Sequence, residues 1–164
     1  MQPLPEVETQ PVLEAVFDCN VFLRATIQSQ GPAYRCLSLL DSGRYTLYFC
    51  QEIAAEINDV LRRPSLRERF PKLTEENVND LFQKLKRHGV EVTNVPETFR
   101  YARDPDDEVY VNLALIVSAQ YLVTYDKDLL DLMSHGNEEA RSFRHSPGLQ
   151  IVDPQAFLDA LFGV

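Results

Sequence analysis

Short apolar runs alternate along this chain with longer stretches whose apolar residues recur every three or four positions. The first run, roughly Glu14 to Asp18, reads as a buried strand. Asn20 to Gln30 reads as a loop or a short helical turn. Gly31-Pro32 then opens a helix carrying Tyr34, Leu37, Leu39 and Leu40, which Asp41-Ser42-Gly43 stops. Tyr45 to Cys50 is a second strand. Gln51 to Leu61 has a helical core stripe of Ile53, Ile57, Val60 and Leu61, and Pro64 ends it. Thr74-Glu75-Glu76-Asn77 carries a capping pattern for a helix running to about His88, with Gly89 at its close. Val90 to Val95 reads as a third strand, and Asp104-Pro105-Asp106-Asp107 starts a helix through Val109, Leu113, Ala114 and Val117. Tyr121 to Thr124 is a fourth strand, followed by a short helix near Lys127. His135 to Gly148 is polar and reads as a loop. Leu149 to Val152 is a fifth strand, and Pro154 opens a last helix with Phe157, Leu158, Leu161 and Phe162.

Strands separated by helices imply right-handed crossovers. The expected fold is therefore α/β: a three-layer α/β/α sandwich around a mostly parallel sheet of four to five strands. With 164 residues, 45% of them hydrophobic, and no internal repeat, one domain over residues 14–164 is expected. Met1 to Gln10 is polar, proline-containing and without a hydrophobic signal core, so residues 1–13 read as a flexible N-terminal tail. Cys19, Cys36 and Cys50 have no metal-type spacing and are odd in number, which suits reduced, partly buried thiols and a cytoplasmic location.

The charge is uneven. Arg62 to Arg103 holds ten basic and six acidic residues, a local charge of +4, so the rest of a chain of net charge −9 carries −13. A basic run of this kind is most often a solvated helical face. Much of the negative charge falls at strand and helix ends. Asp18 ends the run Ala15-Val16-Phe17 and Asp126 follows Tyr121-Leu122-Val123-Thr124, both just past a strand's carboxyl end, where α/β proteins place their active sites. Asp104, Asp106 and Asp107 stand at a helix start, where one acid serves as a cap and three exceed that need. Glu56 lies roughly 60° from Ile53 on its helix, a shoulder position that suits solvent or a cleft equally. Asp128 reads as a cap for the helix beyond Asp126. Acids gathered at one sheet edge repel one another unless protons or a cation compensate, and a divalent metal is the obvious cation.

In order and approximate spacing, these segments resemble the PIN-domain nucleases, and within them the bacterial and archaeal VapC-type toxins of toxin–antitoxin pairs. The resemblance rests on Val16-Phe17-Asp18-Cys19-Asn20-Val21, on the helix Glu52 to Arg63, on Asp104-Pro105-Asp106-Asp107-Glu108, and on Thr124-Tyr125-Asp126-Lys127-Asp128. It covers about Ala15 to Leu130. By that resemblance Asp18, Glu56, Asp107 and Asp126 are the acidic residues that bind metal and catalyse. Asn20 and Thr124 support them, with Asp106 and Asp128 alongside. Two departures stand out: Tyr125, where the family usually has a small residue, and Ser118, in place of a glycine at a helix end.

Clustered oxygen ligands suit Mg²⁺ or Mn²⁺. The implied activity is metal-dependent endonucleolytic hydrolysis of RNA, leaving a 5′-phosphate and a 3′-hydroxyl. Arg62, Arg63, Arg67 and Arg69 are candidates for phosphate contacts. The implied partners are an RNA substrate, a small antitoxin protein and a second copy in a homodimer, with no membrane. No catalytic role falls to His88, His135 or His145. Two alternatives stay open: a PIN-like module that only binds RNA or protein, and a phosphoacceptor receiver-type domain. The second lacks the paired acids such a domain needs after its first strand. A haloacid-dehalogenase phosphatase would need an aspartate where Asn20 stands.

Overall fold

The structure is a computed structural model and describes residue 2 and residues 11–134 and 148–164. The expected tail apart from residues 2 and 11–13, and the polar segment at 135–147 with His135 and His145, lie outside the described residues. Five strands, β1 (Leu13–Phe17), β2 (Tyr45–Phe49), β3 (Val90–Glu91), β4 (Tyr121–Val123) and β5 (Gln150–Val152), form one sheet in the order β3-β2-β1-β4-β5. Every pairing is parallel, with Ala15 opposite both Leu47 and Tyr121. Among the described residues eight α-helices surround it: α1 (Cys19–Ile27), α2 (Pro32–Ser38), α3 (Gln51–Leu61), α4 (Pro64–Arg69), α5 (Glu75–His88), α6 (Glu108–Ile116), α7 (Lys127–Asp131) and α8 (Pro154–Phe162). The sheet is thus wholly parallel, and the sandwich is the one expected.

The strand order fixes where a site can form. From β1 the chain steps to β2 and β3 on one side, then returns to add β4 and β5 on the other. The carboxyl ends of β1 and β4 therefore flank a switch point, and the crevice above it is where open parallel sheets hold their ligands. Ala15 and Val16 of β1 and Leu122 and Val123 of β4 are fully buried.

One face of the sheet is closed by aromatic packing. Phe157 of α8 stacks edge-on against Phe17 and Tyr45, with centroids 5.5 and 5.2 Å apart, and Phe22 of α1 lies 5.9 Å from Phe17. Offset and edge-on pairs of this kind add to the burial energy. Tyr45 spends its hydroxyl on Cys36 O at 2.6 Å, so the ring stays buried without an orphaned donor. The other face is covered by α6, apolar on nearly every side with Tyr110, Val111, Leu113 and Ala114 all buried. No described helix is long and apolar enough to cross a membrane.

Several elements depart from the sequence reading. Asn20 to Gln30 is mostly helix, because Val21, Phe22 and Ala25 share one face against the core. Pro64 ends α3 and also starts α4, where a proline suits the first helical position. The third strand is two residues long, not six, because Asn94 turns left-handed at φ 57°. Ser118, just past α6, is also left-handed at φ 53°. Gly89 ends α5 for a steric reason: a Cβ there would sit 2.6 Å from Leu85 O.

Candidate metal centre

The sheet ladder continues one residue beyond β1 and β4. Asp18 N donates to Val123 O at 2.9 Å, and Thr124 N donates to Val152 O at 2.9 Å. This sets the Asp18 and Thr124 side chains next to each other at the switch point. The Thr124 hydroxyl donates to Asp18 Oδ2 at 2.7 Å and accepts from Asp126 N at 2.9 Å. Asn20, in the first turn of α1, donates to the same Asp18 oxygen at 3.1 Å and accepts from Tyr125 N at 3.2 Å. Thr124 and Asn20 thus both hydrogen-bond the Asp18 carboxylate, and neither adds an acidic oxygen to the cluster.

Asp107 arrives from the opposite direction. Asp104 takes the capping duty by accepting from Asp106 N at 3.2 Å, Asp106 faces solvent, and Asp107 turns inward, 6% exposed. Asp126 is held by Asp128 N, which donates to its Oδ1 at 2.8 Å, so the cap of α7 is Asp126 rather than Asp128. The Asp128 carboxylate instead pairs with Arg103 at 2.5 Å. Asp18, Asp107 and Asp126 each present an oxygen within 4.8 Å of the other two.

Electrostatics make this cluster costly without a counter-charge. Burial pushes the Asp18 carboxyl from its ordinary 3.8 up to about 6. Hydrogen bonds from Thr124 and the Cys19 amide oppose the rise, and the charges of Glu56 and Asp126 add to it. Asp107 is pushed to about 8, first by burial and then by Asp126, Asp18 and Asp104. Its Oδ2 is buried with no hydrogen-bond partner. A buried anionic oxygen without a donor is very unfavourable, so this one is shaped for a proton or a cation. The residues present fit a divalent ion: three hard oxygens converge, with no competing soft ligand. Cys19 lies beside them, but burial, Glu56 and Asp18 push its thiol up to about 12, which keeps it inert.

Glu56 is placed differently. It stands outside the three-acid group and accepts a short hydrogen bond from the Tyr110 hydroxyl, while its charge is felt at Asp18. Tyr110, buried in α6 one turn after Asp107, is the site neighbour that sequence reasoning missed. Its position three residues from Asp107 is the available signal, masked by a helix that is apolar all round. The arginines of the basic stretch are engaged elsewhere. Arg62 and Arg67 both pair with Glu75 across α3, α4 and α5, Arg63 pairs with Asp59 at 2.8 Å, and Arg69 lies over the Phe70 ring.

Comparison with known proteins matches the geometry. A family model described as a PIN domain matches residues 14–128. An uncharacterized protein of Methanocaldococcus jannaschii is 28% identical over 149 residues, covering 90% of each chain. No solved structure matches.

Proposed function

Since the chain belongs to the PIN-domain family, we propose that it is a metal-dependent endoribonuclease whose catalytic acids are Asp18, Asp107 and Asp126, with Glu56 as a fourth. The observation that carries the reading is the buried Asp107, its Oδ2 without a hydrogen-bond partner, gathered with two further carboxylates at the switch point of the sheet. Asp18, Asp107 and Asp126 would hold Mg²⁺ or Mn²⁺, whose oxygen preference they suit. When bound, such an ion supplies Lewis-acid stabilisation of a phosphodiester and acidifies water.

The chain's own groups do the positioning. Thr124 and Asn20 fix the Asp18 carboxylate, the Asp128 amide fixes Asp126, and Tyr110 fixes Glu56. With Asp18 and Asp107 both raised, protons compete with metal for the site, so activity should rise with pH from about 6 to 8. Single-stranded or looped RNA is the substrate, because its phosphates and bases are exposed. Arg62, Arg63, Arg67 and Arg69 offer an outer surface for its backbone, weakened because the first three share their charges with Glu75 and Asp59. We assign the chain the role of a toxin held by a small antitoxin, and place it in the cytoplasm as a homodimer.

The test is incubation of the purified protein with mixed single-stranded RNA in Mn²⁺, in Mg²⁺ and in EDTA, beside Asp18→Asn. Cleavage that requires metal and disappears in the variant is the expected result. Intact RNA together with no metal binding by calorimetry would overturn the catalytic reading and leave a binding module. A short neighbouring reading frame encoding a DNA-binding N-terminus is expected for the toxin role, and its absence would remove that role alone.

A further inference from the structure

Of the four arginines expected to contact phosphate, Arg62, Arg63 and Arg67 are ion-paired and Arg69 lies over the Phe70 ring. The ion pairs among the described residues occupy Arg62, Arg63, Arg67, Arg100 and Arg103. Arg24 is in none of them. It is an exposed residue on α1, and its guanidinium carbon lies 3.9 Å from the centroid of the Tyr125 ring. Tyr125 sits between Thr124 and Asp126, and its amide donates to Asn20 Oδ1, the same Asn20 that holds Asp18. The aromatic residue that departs from the family pattern is therefore wired to the acid cluster on its backbone side and carries a cation on its ring.

A guanidinium held over an aromatic face is restrained in position, and that of Arg24 also hydrogen-bonds the Tyr125 side chain. A restrained guanidinium outside the ion pairs keeps further N–H donors, two of which can match two phosphate oxygens at once. We propose that Arg24, stacked on Tyr125, binds a backbone phosphate of single-stranded RNA next to the one that is cleaved, and so sets the path of the strand through the cleft. This rests on the ribonuclease reading above. The contact is specific to phosphate: a lysine would keep the charge but lose the plane and the paired donors.

Anisotropy of a 5′-labelled single-stranded RNA tests it, in EDTA and in Ca²⁺, over a range of salt, with the RNA checked to be intact. Arg24→Gln is exposed and should fold, with Mn²⁺ affinity by calorimetry unchanged. Its RNA affinity should fall about tenfold, as expected for losing charge-assisted hydrogen bonds. The slope of log K against log salt should shrink by about 0.7, the value for one phosphate on a single strand. Arg24→Lys should restore the slope with only part of the affinity. Equal binding by wild type and Arg24→Gln overturns the inference and leaves the ribonuclease reading standing. Weaker binding with an unchanged slope overturns the phosphate assignment. Absence of RNA binding by the wild type in both conditions overturns the inference together with the reading it rests on.

Discussion

Replacing Asp107 by asparagine keeps the shape of the side chain and removes its charge, and should make the metal-free protein more stable. In the unfolded chain this carboxyl ionises near 3.8; in the fold it ionises at about 8, because burial and three neighbouring aspartates oppose its charge. Between those values the folded state holds a proton that the unfolded state has lost. Stability therefore falls as pH rises through that window, by up to about 1.4 kcal/mol per pH unit. The penalty is absent below 3.8 and complete above about 8. From pH 5 to pH 8 the bare figure is about 4 kcal/mol, and screening by solvent that reaches the open cleft brings it to about 2 kcal/mol. A domain of this size shifts about 2–4 °C per kcal/mol. In EDTA, the advantage of Asp107→Asn in Tm should therefore grow by about 4–8 °C between pH 5 and pH 8. Adding Mn²⁺ at about a hundred times its Kd should stabilise the wild type by about 2.7 kcal/mol and the variant hardly at all. Differential scanning fluorimetry at both pH values, with and without Mn²⁺, reads all four states. A Tm difference that stays flat with pH, or an asparagine variant that is the less stable at pH 8, would refute the account of the site.

Other changes separate fold from function. Asn112 is buried in α6 and accepts from Phe99 N at 2.7 Å while donating to Phe99 O at 3.2 Å, so Asn112→Ala removes both of these hydrogen bonds. It should cost about 3 kcal/mol, read from the midpoint of urea unfolding; a loss well under 1 kcal/mol would mean the loop finds other partners. Tyr110→Phe removes only the hydroxyl on Glu56, and should weaken Mn²⁺ binding by about tenfold with an unchanged circular dichroism spectrum. Unchanged affinity in calorimetry would take Glu56 out of the metal site. Ser118→Gly relieves a left-handed residue and should gain about 0.5–1 kcal/mol in the same unfolding assay, and a loss would show that the serine side chain matters more than its backbone strain.

The layers of the fold were legible because strand and helix periods alternate cleanly, and α3 falls where its apolar stripe lies. The Thr74 cap is seen as read, its hydroxyl accepting from Asn77 N at 3.1 Å. α1 was not legible. Its first residues follow a strand without a break, and Asp18-Cys19-Asn20 looks like turn chemistry. The packing of Phe22 against Phe17 decides for helix, and that contact is tertiary. The third strand was overread because Val92 and Val95 do pack on the core, although only Val90 and Glu91 pair. At the site, Asp18 and Asp126 stand beside strand ends and Asp107 in a helix's first turn, but it was the family resemblance that singled them out and took Asp107 over Asp106. Glu56 could not be placed from its helix face alone, and its partner Tyr110 was hidden in a uniformly apolar helix. For the arginines, sequence shows a charge but not that Glu75 pairs with Arg62 and Arg67.

The order of the strands has a consequence in time. Asp18 leaves the first strand, whereas Asp107 and Asp126 belong to the return half of the chain and meet it only when β4 docks beside β1. A growing chain carries its first acid long before its last. The three acids can come together only once most of the sequence has been made, so no nascent chain short of β4 gathers all three carboxylates.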